Sequence, residues 1–327
     1  MSVPGSLYQN SIRKTRGQHW HNSSADHIEQ SMWLDGSAQD LSRSGFTLSS
    51  DGQKELIVSM WVKRIEFGRA QEVWILGNSS GVASYNDMIH GNFNADDTLN
   101  FSVGSGGSSG GGHTSTAKFR DAAWYHLLFS FNSNTTIQDP KDRIQLYVNG
   151  ELQGDGSQTA VPDNQDVRGS LTGSADFRFG RNTHGSLGYF NNTYMAQCCY
   201  LEGKSIQAGD YAVSDFLDTW AFGDNGTQFV PKKTSDITAL ASAVGGNSFC
   251  LDFADTGTFG NDVSSNNNDL SDAGSPTAAN QSSDTPSLSY PKVSNIGTPS
   301  GHAAANYTMT KGSNRMVYSG GDQSYFG

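Results

Sequence analysis

Aromatic side chains close to asparagines are the residues in this sequence whose types suggest a specific chemistry. A pyranose ring is bound by an aromatic face on which it stacks and by polar groups that hold its hydroxyls. The residues with this chemistry in polar, glycine-flanked segments are Tyr85, His90, Asn92, Phe93, Tyr189, Asn191 and Asn192. They predict a sugar-binding set carried on loops, while each residue taken singly also suits a place in the scaffold.

The acidic residues form no clear pair for hydrolysis. Cleavage of a glycosidic bond needs two carboxyl groups about 5–10 Å apart, flanking the sugar. The nearest acidic sets are Asp96 with Asp97 and Glu66 with Glu72, which we interpret as solvated loop or edge charges. The string G-x-S-x-G occurs only in the glycine- and serine-rich segments Gly77–Gly81 and Gly104–Gly112, whose composition does not suggest a strand-to-helix nucleophile elbow. His126, inside a strand-like segment, is predicted to be structural and held by a backbone carbonyl. We therefore expect a protein that is not an enzyme.

The composition of the 327-residue chain disfavours several classes of partner. Lys and Arg number 21 against 32 Asp and Glu, a formal charge of −11, which disfavours binding to nucleic acid phosphates or anionic lipid. No stretch has the roughly 20 apolar residues of a spanning helix, and residues 1–25 lack a signal-peptide pattern. Three cysteines cannot form a disulfide framework, and no C-x-x-C pair suggests zinc. We expect a soluble protein without nucleic acid or membrane insertion.

Short apolar runs broken by turn residues every ten or so positions extend from residue 29 to about residue 200. This spacing is typical of an all-β, two-sheet antiparallel sandwich. Leu56–Val62 is the strongest strand, and Tyr125–Phe131 alternates between two faces. Asn149-Gly150 predicts a type I′ hairpin turn, because both central residues need positive φ. Gly104–Gly112 predicts a mobile tether or hairpin tip, and only Ser205–Trp220 has a helical pattern.

The two ends of the chain differ from the middle. Residues 1–28 have no apolar period but carry Arg13, Lys14, Arg16 and Trp20, which fits either a disordered terminus or an arm that docks on a partner through Trp20. Residues 254–327 are too polar to form a core of their own, so they stay extended or become ordered on a partner. The predicted organisation is an arm at 1–28, a sandwich at 29–253 and a polar extension at 254–327.

Three motifs resemble a known fold. W-Y-H at Trp124–His126, D-R-I-Q-L-Y-V-N-G at Asp142–Gly150 and F-R-F-G-R at Phe177–Arg181 resemble the concanavalin A-like, laminin-G-like jelly roll of the lectin/glucanase superfamily. The resemblance implies a jelly-roll sandwich over roughly residues 29–220. Hydrolytic members usually carry E-x-D-x-x-E, which is missing from this sequence. The resemblance also implies one possible calcium ion at the sandwich rim, for which Asp87, Asp96 and Asp97 offer oxygens.

A narrower resemblance concerns four further segments. Ile28–Ser42, V-P-K-K at Val230–Lys233, F-C-L-D-F at Phe249–Phe253 and G-N-D-V-S-S-N-N-N-D at Gly260–Asp269 are similar to virion proteins of tailed bacteriophages, many from aquatic viruses. This similarity implies a fibre, spike or capsid-decorating component that is assembled in the host cytoplasm and displayed on the virion surface. Its expected partners are other virion proteins, contacted through the arms, further copies of itself, with a trimer expected, and surface glycans. The alternatives are a glycan-active hydrolase and a cellular carbohydrate-binding module.

Overall fold

The computed structural model describes residues 28–78, 88–105, 108–164, 175–181, 191–221, 227–286, 307–310 and 315–318. The first ten strands are β1 (Ser31–Asp35), β2 (Asp40–Phe46), β3 (Glu55–Arg64), β4 (Gln71–Asn78), β5 (Ile89–Phe93), β6 (Thr98–Ser105), β7 (Ser108–Lys118), β8 (Trp124–Asn132), β9 (Ile144–Val148) and β10 (Glu151–Leu152). The elements that follow are β11 (Asp155–Thr159), β12 (Ala175–Phe179), β13 (Asn192–Glu202), β14 (Leu217–Ala221), β15 (Thr227–Pro231), helix α1 (Thr234–Val244), β16 (Phe249–Leu251), β17 (Ser271–Ala273), β18 (Gln281–Ser282), β19 (Tyr307–Thr310) and β20 (Arg315–Tyr318).

Two antiparallel sheets of eight strands form the body of the protein. The first sheet has the order β10-β9-β8-β3-β13-β1-β18, with β16 also paired to β13. The second sheet has the order β11-β7-β6-β5-β4-β12-β2-β17. The predicted all-β jelly-roll sandwich is therefore confirmed. Within the described part of the chain, no helix is long and apolar enough to cross a membrane.

Aromatic side chains fill the space between the sheets. Trp74 of β4 stacks on Phe177 at a centroid distance of 5.9 Å and meets Phe129, on the opposite sheet, edge to face at 5.5 Å. Tyr200 and Phe249 extend this layer from the first sheet. Burial of each large side chain contributes about 1.5–3 kcal/mol, so this layer is the main source of stability.

Local turn chemistry agrees with the sequence at two hairpins. Asn149 and Gly150 have φ of 50° and 81°, as the type I′ turn requires, and they join β9 to β10. The described residues on either side of Gly106 and Gly107 belong to paired strands, because Val103 pairs with Gly111 and Ser105 with Ser108 across β6 and β7. A Cβ on Gly111 would lie 2.5 Å from Val161 Cγ2, so the absence of a side chain there allows the neighbouring segment to approach.

The helical pattern of Ser205–Trp220 corresponds to a helical turn rather than to a full helix. Ser205–Trp220 contains a short 3-10 turn at Val213–Asp215 and then strand β14, while the helix α1 lies further along the chain. The apolar residues of the predicted helix are nevertheless partly buried against the outer face of the first sheet. Helix α1 was missed because Ile237 and Ala241 are its only fully buried side chains, too few to produce an apolar period in the sequence.

The C-terminal extension is part of the sandwich as far as residue 286, which corrects the predicted boundary at 253. Strand β17 pairs with β2 and β18 pairs with β1, so the extension adds a strand to each sheet. The Asp262 carboxylate accepts hydrogen bonds from the backbone N–H groups of Cys250, Ser264 and Asn268. A polar segment is thus ordered by hydrogen bonds to its own chain rather than by an apolar core of its own.

Gly260 offers a test of this packing. A Cβ there would lie 1.9 Å from the Leu270 carbonyl oxygen, and the Gly260 carbonyl also accepts the Leu270 N–H. We expect Gly260→Ala to lower the free energy of unfolding by about 2–3 kcal/mol, measured by urea denaturation. Gly257→Ala is the control, because its Cβ would meet only the Asp255 carboxylate, at 3.3 Å. Equal stability of the two variants would contradict the packed extension.

Candidate functional site

Strand β5 divides the predicted sugar-binding residues between two faces. Ile89 and Phe93 point into the core between the sheets, and side chains alternate along a strand, so His90 and Asn92 lie on the outer face of the second sheet. His90 is in register with Ser102, and Asn92 is in register with Asn100 and, across β4, with Glu72. We call the amide face the set Glu72, His90, Asn92, Asn94, Asn100, Ser102 and Thr114.

A rigid trio anchors one side of the amide face. His90 Nδ1 lies 2.8 Å from Glu72 Oε1, and His90 Nε2 lies 2.7 Å from Ser102 Oγ. Glu72 and His90 are buried, whereas Ser102 is half-buried. Because both ring nitrogens have partners, the imidazole cannot rotate without losing hydrogen bonds, and the Ser102 hydroxyl is held in one place.

The order of the trio is that of an acid, a base and a serine nucleophile, but the surroundings favour binding over catalysis. Acyl transfer requires donors aimed at a developing oxyanion. The nearest side-chain amide, Asn100 Nδ2, donates to Asn92 Oδ1 at 2.9 Å and to Ser102 Oγ at 3.4 Å. Ser102 itself lies in mid-strand, where ladder pairing uses backbone N–H groups. The Asn100 amide is therefore engaged within the hydrogen-bonded network of this face.

A chain of amides and hydroxyls forms the rest of the amide face. Asn100 Oδ1 accepts from Thr114 Oγ1 at 3.0 Å, Asn92 Nδ2 donates to Asn94 Oδ1 at 3.1 Å, and Asn94 Nδ2 donates to Thr98 Oγ1 at 2.9 Å. Thr98 is buried, and the other four residues are half-buried. An amide has two donor hydrogens and two acceptor lone pairs, so each keeps hydrogen-bonding capacity after making these contacts.

The remaining predicted residues are not brought to this face. The predicted loop was wrong for His90, Asn92 and Phe93, which all lie on strand β5. Phe93 is fully buried, with its ring centroid 4.2 Å from the Arg64 guanidinium carbon. Asn191 is also buried and accepts the Thr193 hydroxyl. Asn192 lies on the first sheet. Tyr85 and Tyr189 lie outside the described residues, as do the arm residues Arg13, Lys14, Arg16 and Trp20.

Asn192 contacts an aromatic pair on the first sheet, formed by Trp33 and Tyr194. Its Oδ1 accepts the Trp33 Nε1–H at 3.1 Å. Trp33 stacks on Tyr194 with a centroid distance of 6.3 Å, and Lys63 Nζ lies 6.0 Å from the Tyr194 ring. Asn192 is thus remote from the amide face, and it provides a matched control for variants there.

Five residues of the amide face were not predicted for sugar binding, namely Glu72, Asn94, Asn100, Ser102 and Thr114. The segment Thr98–Val103 alternates polar and apolar residues along its whole length, which places Asn100 and Ser102 on one face of a strand. That signal could have found these two residues. Their meeting with His90 depends on strand pairing and was not visible in the sequence.

The acidic residues predicted for calcium already have cationic partners. Asp97 accepts from Arg64 at 3.2 Å and Arg120 at 2.9 Å, and Asp96 accepts from Lys118 at 3.1 Å. Burial opposes ionisation of Asp97, but hydrogen bonds from Gly68 N–H, Arg120 and Arg64 outweigh it and lower its pKa. Hydrogen bonds from Thr98 and Lys118 lower the pKa of Asp96 to about 2.

These two carboxylates therefore do not fit a calcium site, because their oxygens face guanidinium and ammonium groups rather than an open cavity. Asp87 lies outside the described residues. Elsewhere in the described ranges, no group of three or more His, Cys, Asp or Glu side chains is placed to hold a metal ion.

His126 is a buried structural residue, but its predicted backbone partner was wrong. Its Nε2 lies 2.9 Å from Ser59 Oγ, and its ring meets Trp61 at 5.2 Å. Complete burial lowers the pKa of His126 to about 3, because removal from water disfavours the charged imidazolium. The ring is neutral in the folded protein at ordinary pH.

Comparison with known proteins agrees with the fold. A family model described as the concanavalin A-like lectin/glucanases superfamily (Laminin_G_3) matches residues 35–191, just under half of the chain. This range contains β2 to β12 and therefore the whole amide face. No curated protein matches the sequence.

Several solved structures are similar to the chain. The native heptameric SAP-like pentraxin from Limulus polyphemus is 12% identical, with 55% of this chain and 78% of that chain covered and a TM-score of 0.37. The CBM40 of the Ruminococcus gnavus IT-sialidase, bound to alpha2,3 sialyllactose, is 13% identical, with coverages of 54% and 93% and a TM-score of 0.38. Domains LG4-5 of the mouse laminin alpha1 chain are 11% identical, with coverages of 55% and 43% and a TM-score of 0.37.

His126 predicts a dependence of stability on pH. The unfolded chain protonates this residue near pH 6.5 and the folded chain only near pH 3, so the unfolded state gains the proton first as the pH falls. The contribution of His126 to the free energy of unfolding is present above pH 6.5. The free energy of unfolding therefore falls by about 2 kcal/mol between pH 7 and pH 5. Urea denaturation at several pH values should show this decline in the wild type and in Ser59→Ala, but not in His126→Asn. A decline of equal size in His126→Asn would refute the assignment.

Proposed function

We propose that this protein binds glycans through the amide face and is a surface component of a bacteriophage virion. The observation that carries the glycan part is the row of half-buried amides and hydroxyls across β5, β6 and β7, held in place by hydrogen bonds to one another. The family match to a lectin/glucanase superfamily over the same strands supports it.

The amide face suits a ligand rich in hydroxyl groups. Each sugar hydroxyl can both donate and accept, as can each Asn side chain and each Ser or Thr hydroxyl. The side chains at the face that are half-exposed are uncharged, so a ligand would not have to displace the hydration shell of an ion. The hydrogen bonds among Glu72, His90 and Ser102 limit rotation of these side chains, so less side-chain entropy is lost when a ligand binds.

An aromatic ring for sugar stacking completes the proposal. The described residues of the amide face contain no exposed aromatic side chain, because Phe93 lies in the core. Tyr85 and Tyr189 are the residues of the predicted set that keep this role. Tyr85 comes four positions before β5 of the second sheet, whereas Tyr189 lies ten positions after β12 and three before β13.

The virion part of the proposal rests on the sequence motifs and on the ends of the chain. The protein would be a fibre, spike or capsid-decorating component, and a homo-oligomer, with a trimer as the expected state. The arm at residues 1–28 and the residues beyond 286 would attach it to other virion proteins. The sandwich would then be presented on the virion surface with the amide face toward host or environmental glycans.

Glycan binding should depend on the amide face. We expect Asn92→Ala and Asn100→Ala each to weaken binding about tenfold, because each substitution removes hydrogen bonds worth about 1–1.5 kcal/mol. Asn192→Ala removes the same group from the other sheet and should leave affinity unchanged. Tyr85→Ala and Tyr189→Ala should weaken binding through loss of stacking. A glycan array would select the ligand, and calorimetry would give the affinities.

Two outcomes would contradict this proposal. Binding to no glycan would leave a structural role alone, and equal losses in Asn100→Ala and Asn192→Ala would place the site elsewhere. Release of sugar from mixed polysaccharides, abolished by removal of one carboxylate, would instead support the hydrolase alternative.

Attachment to the particle should depend on the arm. We expect mass spectrometry of purified phage particles to detect this chain together with the proteins that it contacts. A variant without residues 1–27 keeps Ile28, which is buried against the first sheet, so we expect it to fold but to be lost from the particles. A variant with Arg13, Lys14, Arg16 and Trp20 all replaced by Ala is a second test. Full incorporation of both variants would refute docking through the arm.

A further inference from the structure

Two of the three free cysteines face each other across neighbouring strands. Cys199 of β13 is in direct register with Cys250 of β16 in an antiparallel pair. All three cysteines are reduced and buried in this structure. The pairing joins residues far apart in sequence, so it was not foreseeable from the adjacent Cys198 and Cys199.

The direction of the backbone groups shows which kind of cross-strand pair this is. Cys250 N–H donates to Asp262 Oδ1 at 3.0 Å, and Cys250 C=O accepts from Val263 N–H at 2.9 Å. Both groups therefore point away from β13, and Cys199 with Cys250 forms a non-hydrogen-bonded pair. In such pairs the Cα atoms are about 4.5 Å apart, within the range of about 4.4–6.8 Å that a disulfide spans.

The side chains of the pair also lie on the same face. Cys199 and Cys250 belong to one apolar cluster, beneath helix α1 and Phe216, whereas Cys198 points into the core on the opposite face. Cys250 Sγ is 3.8 Å from Thr238 Oγ1 of the helix. Direct register and a shared face make the two cysteines neighbours, and Cys198, on the opposite face, is not available to either.

We propose that Cys199 and Cys250 are an oxidative modification site at which a peroxide forms a cross-strand disulfide. One thiolate attacks hydrogen peroxide and breaks its O–O bond, which gives a sulfenic acid and hydroxide. The second thiol then attacks the sulfenic sulfur, and the S–S bond forms as water leaves. In total two thiols and one hydrogen peroxide give one disulfide and two waters, so the peroxide accepts the two electrons.

Burial sets the rate of this reaction. The hydrogen bond with Cys250 and removal from water raise the pKa of the Cys199 thiol, so little thiolate is present in the closed state. Reaction therefore requires local opening of helix α1, which covers the pair, and a small oxidant. The bridge would then tie β16, and with it the C-terminal extension, to the central strand β13.

The test is oxidation of the full chain with hydrogen peroxide at pH 8.5, a few degrees below its thermal midpoint, followed by removal of the peroxide with catalase. Non-reducing peptide mapping by mass spectrometry should show a linkage between Cys199 and Cys250 and one remaining free thiol. The thermal midpoint should rise by roughly 5–15 °C, because the bridge closes a loop of about 50 residues in the unfolded chain. A phosphine reductant should reverse the rise.

Three serine variants make the result specific. Cys198→Ser should keep both the linkage and the shift in midpoint, whereas Cys199→Ser and Cys250→Ser should lose both. Methionine oxidation would occur equally in all three and would not be reversed by the phosphine. Free Cys199 and Cys250 in folded, oxidised protein, or a linkage that includes Cys198, would overturn the proposal.

Discussion

The packing of Trp74 between the two sheets is the constraint on which the rest of the structure depends. Its indole stacks on Phe177 and contacts Phe129 of the opposite sheet. Gly91 lies directly against it, because a Cβ there would be 2.5 Å from Trp74 Nε1 and 2.6 Å from Phe129. Since position 91 faces this apolar layer, the side chains of the neighbouring residues His90 and Asn92 must lie on the outer face of the sheet. The polar face that we assign to glycans is therefore positioned by the apolar layer beneath it.

A buried cation closes one end of this layer. The Arg64 side chain is fully buried and donates to Gln71 Oε1, Asp97 Oδ1 and the Phe119 carbonyl. Burial lowers its pKa, and Asp97 opposes this effect. Removing either partner of a buried ion pair leaves an uncompensated charge and is strongly destabilising. This structural demand on Asp97 turns its two carboxylate oxygens toward Arg64 and Arg120.

Polar segments become ordered here because the sandwich offers them partners. The C-terminal extension has few aliphatic residues, yet Asp262, Asn266 and Asn268 bind backbone groups of the residues around them. Strands β17 and β18 use the free edges of the two sheets. Such edges otherwise expose unpaired N–H and C=O groups, so the extension protects the sandwich while the sandwich orders the extension.

The sequence by itself determined the all-β class, the strands with the clearest apolar alternation and the Asn149-Gly150 turn, because alternation and turn chemistry are properties of adjacent residues. It also identified His90 and Asn92 as candidate binding residues, although it placed them on a loop rather than on strand β5. Only the tertiary structure decided that Glu72, His90 and Ser102 meet, that Phe93 is buried beneath Arg64, and that the extension joins both sheets. These outcomes depend on which distant strands pair and in what register. No local pattern contains that information, because the energy of pairing belongs to two segments at once.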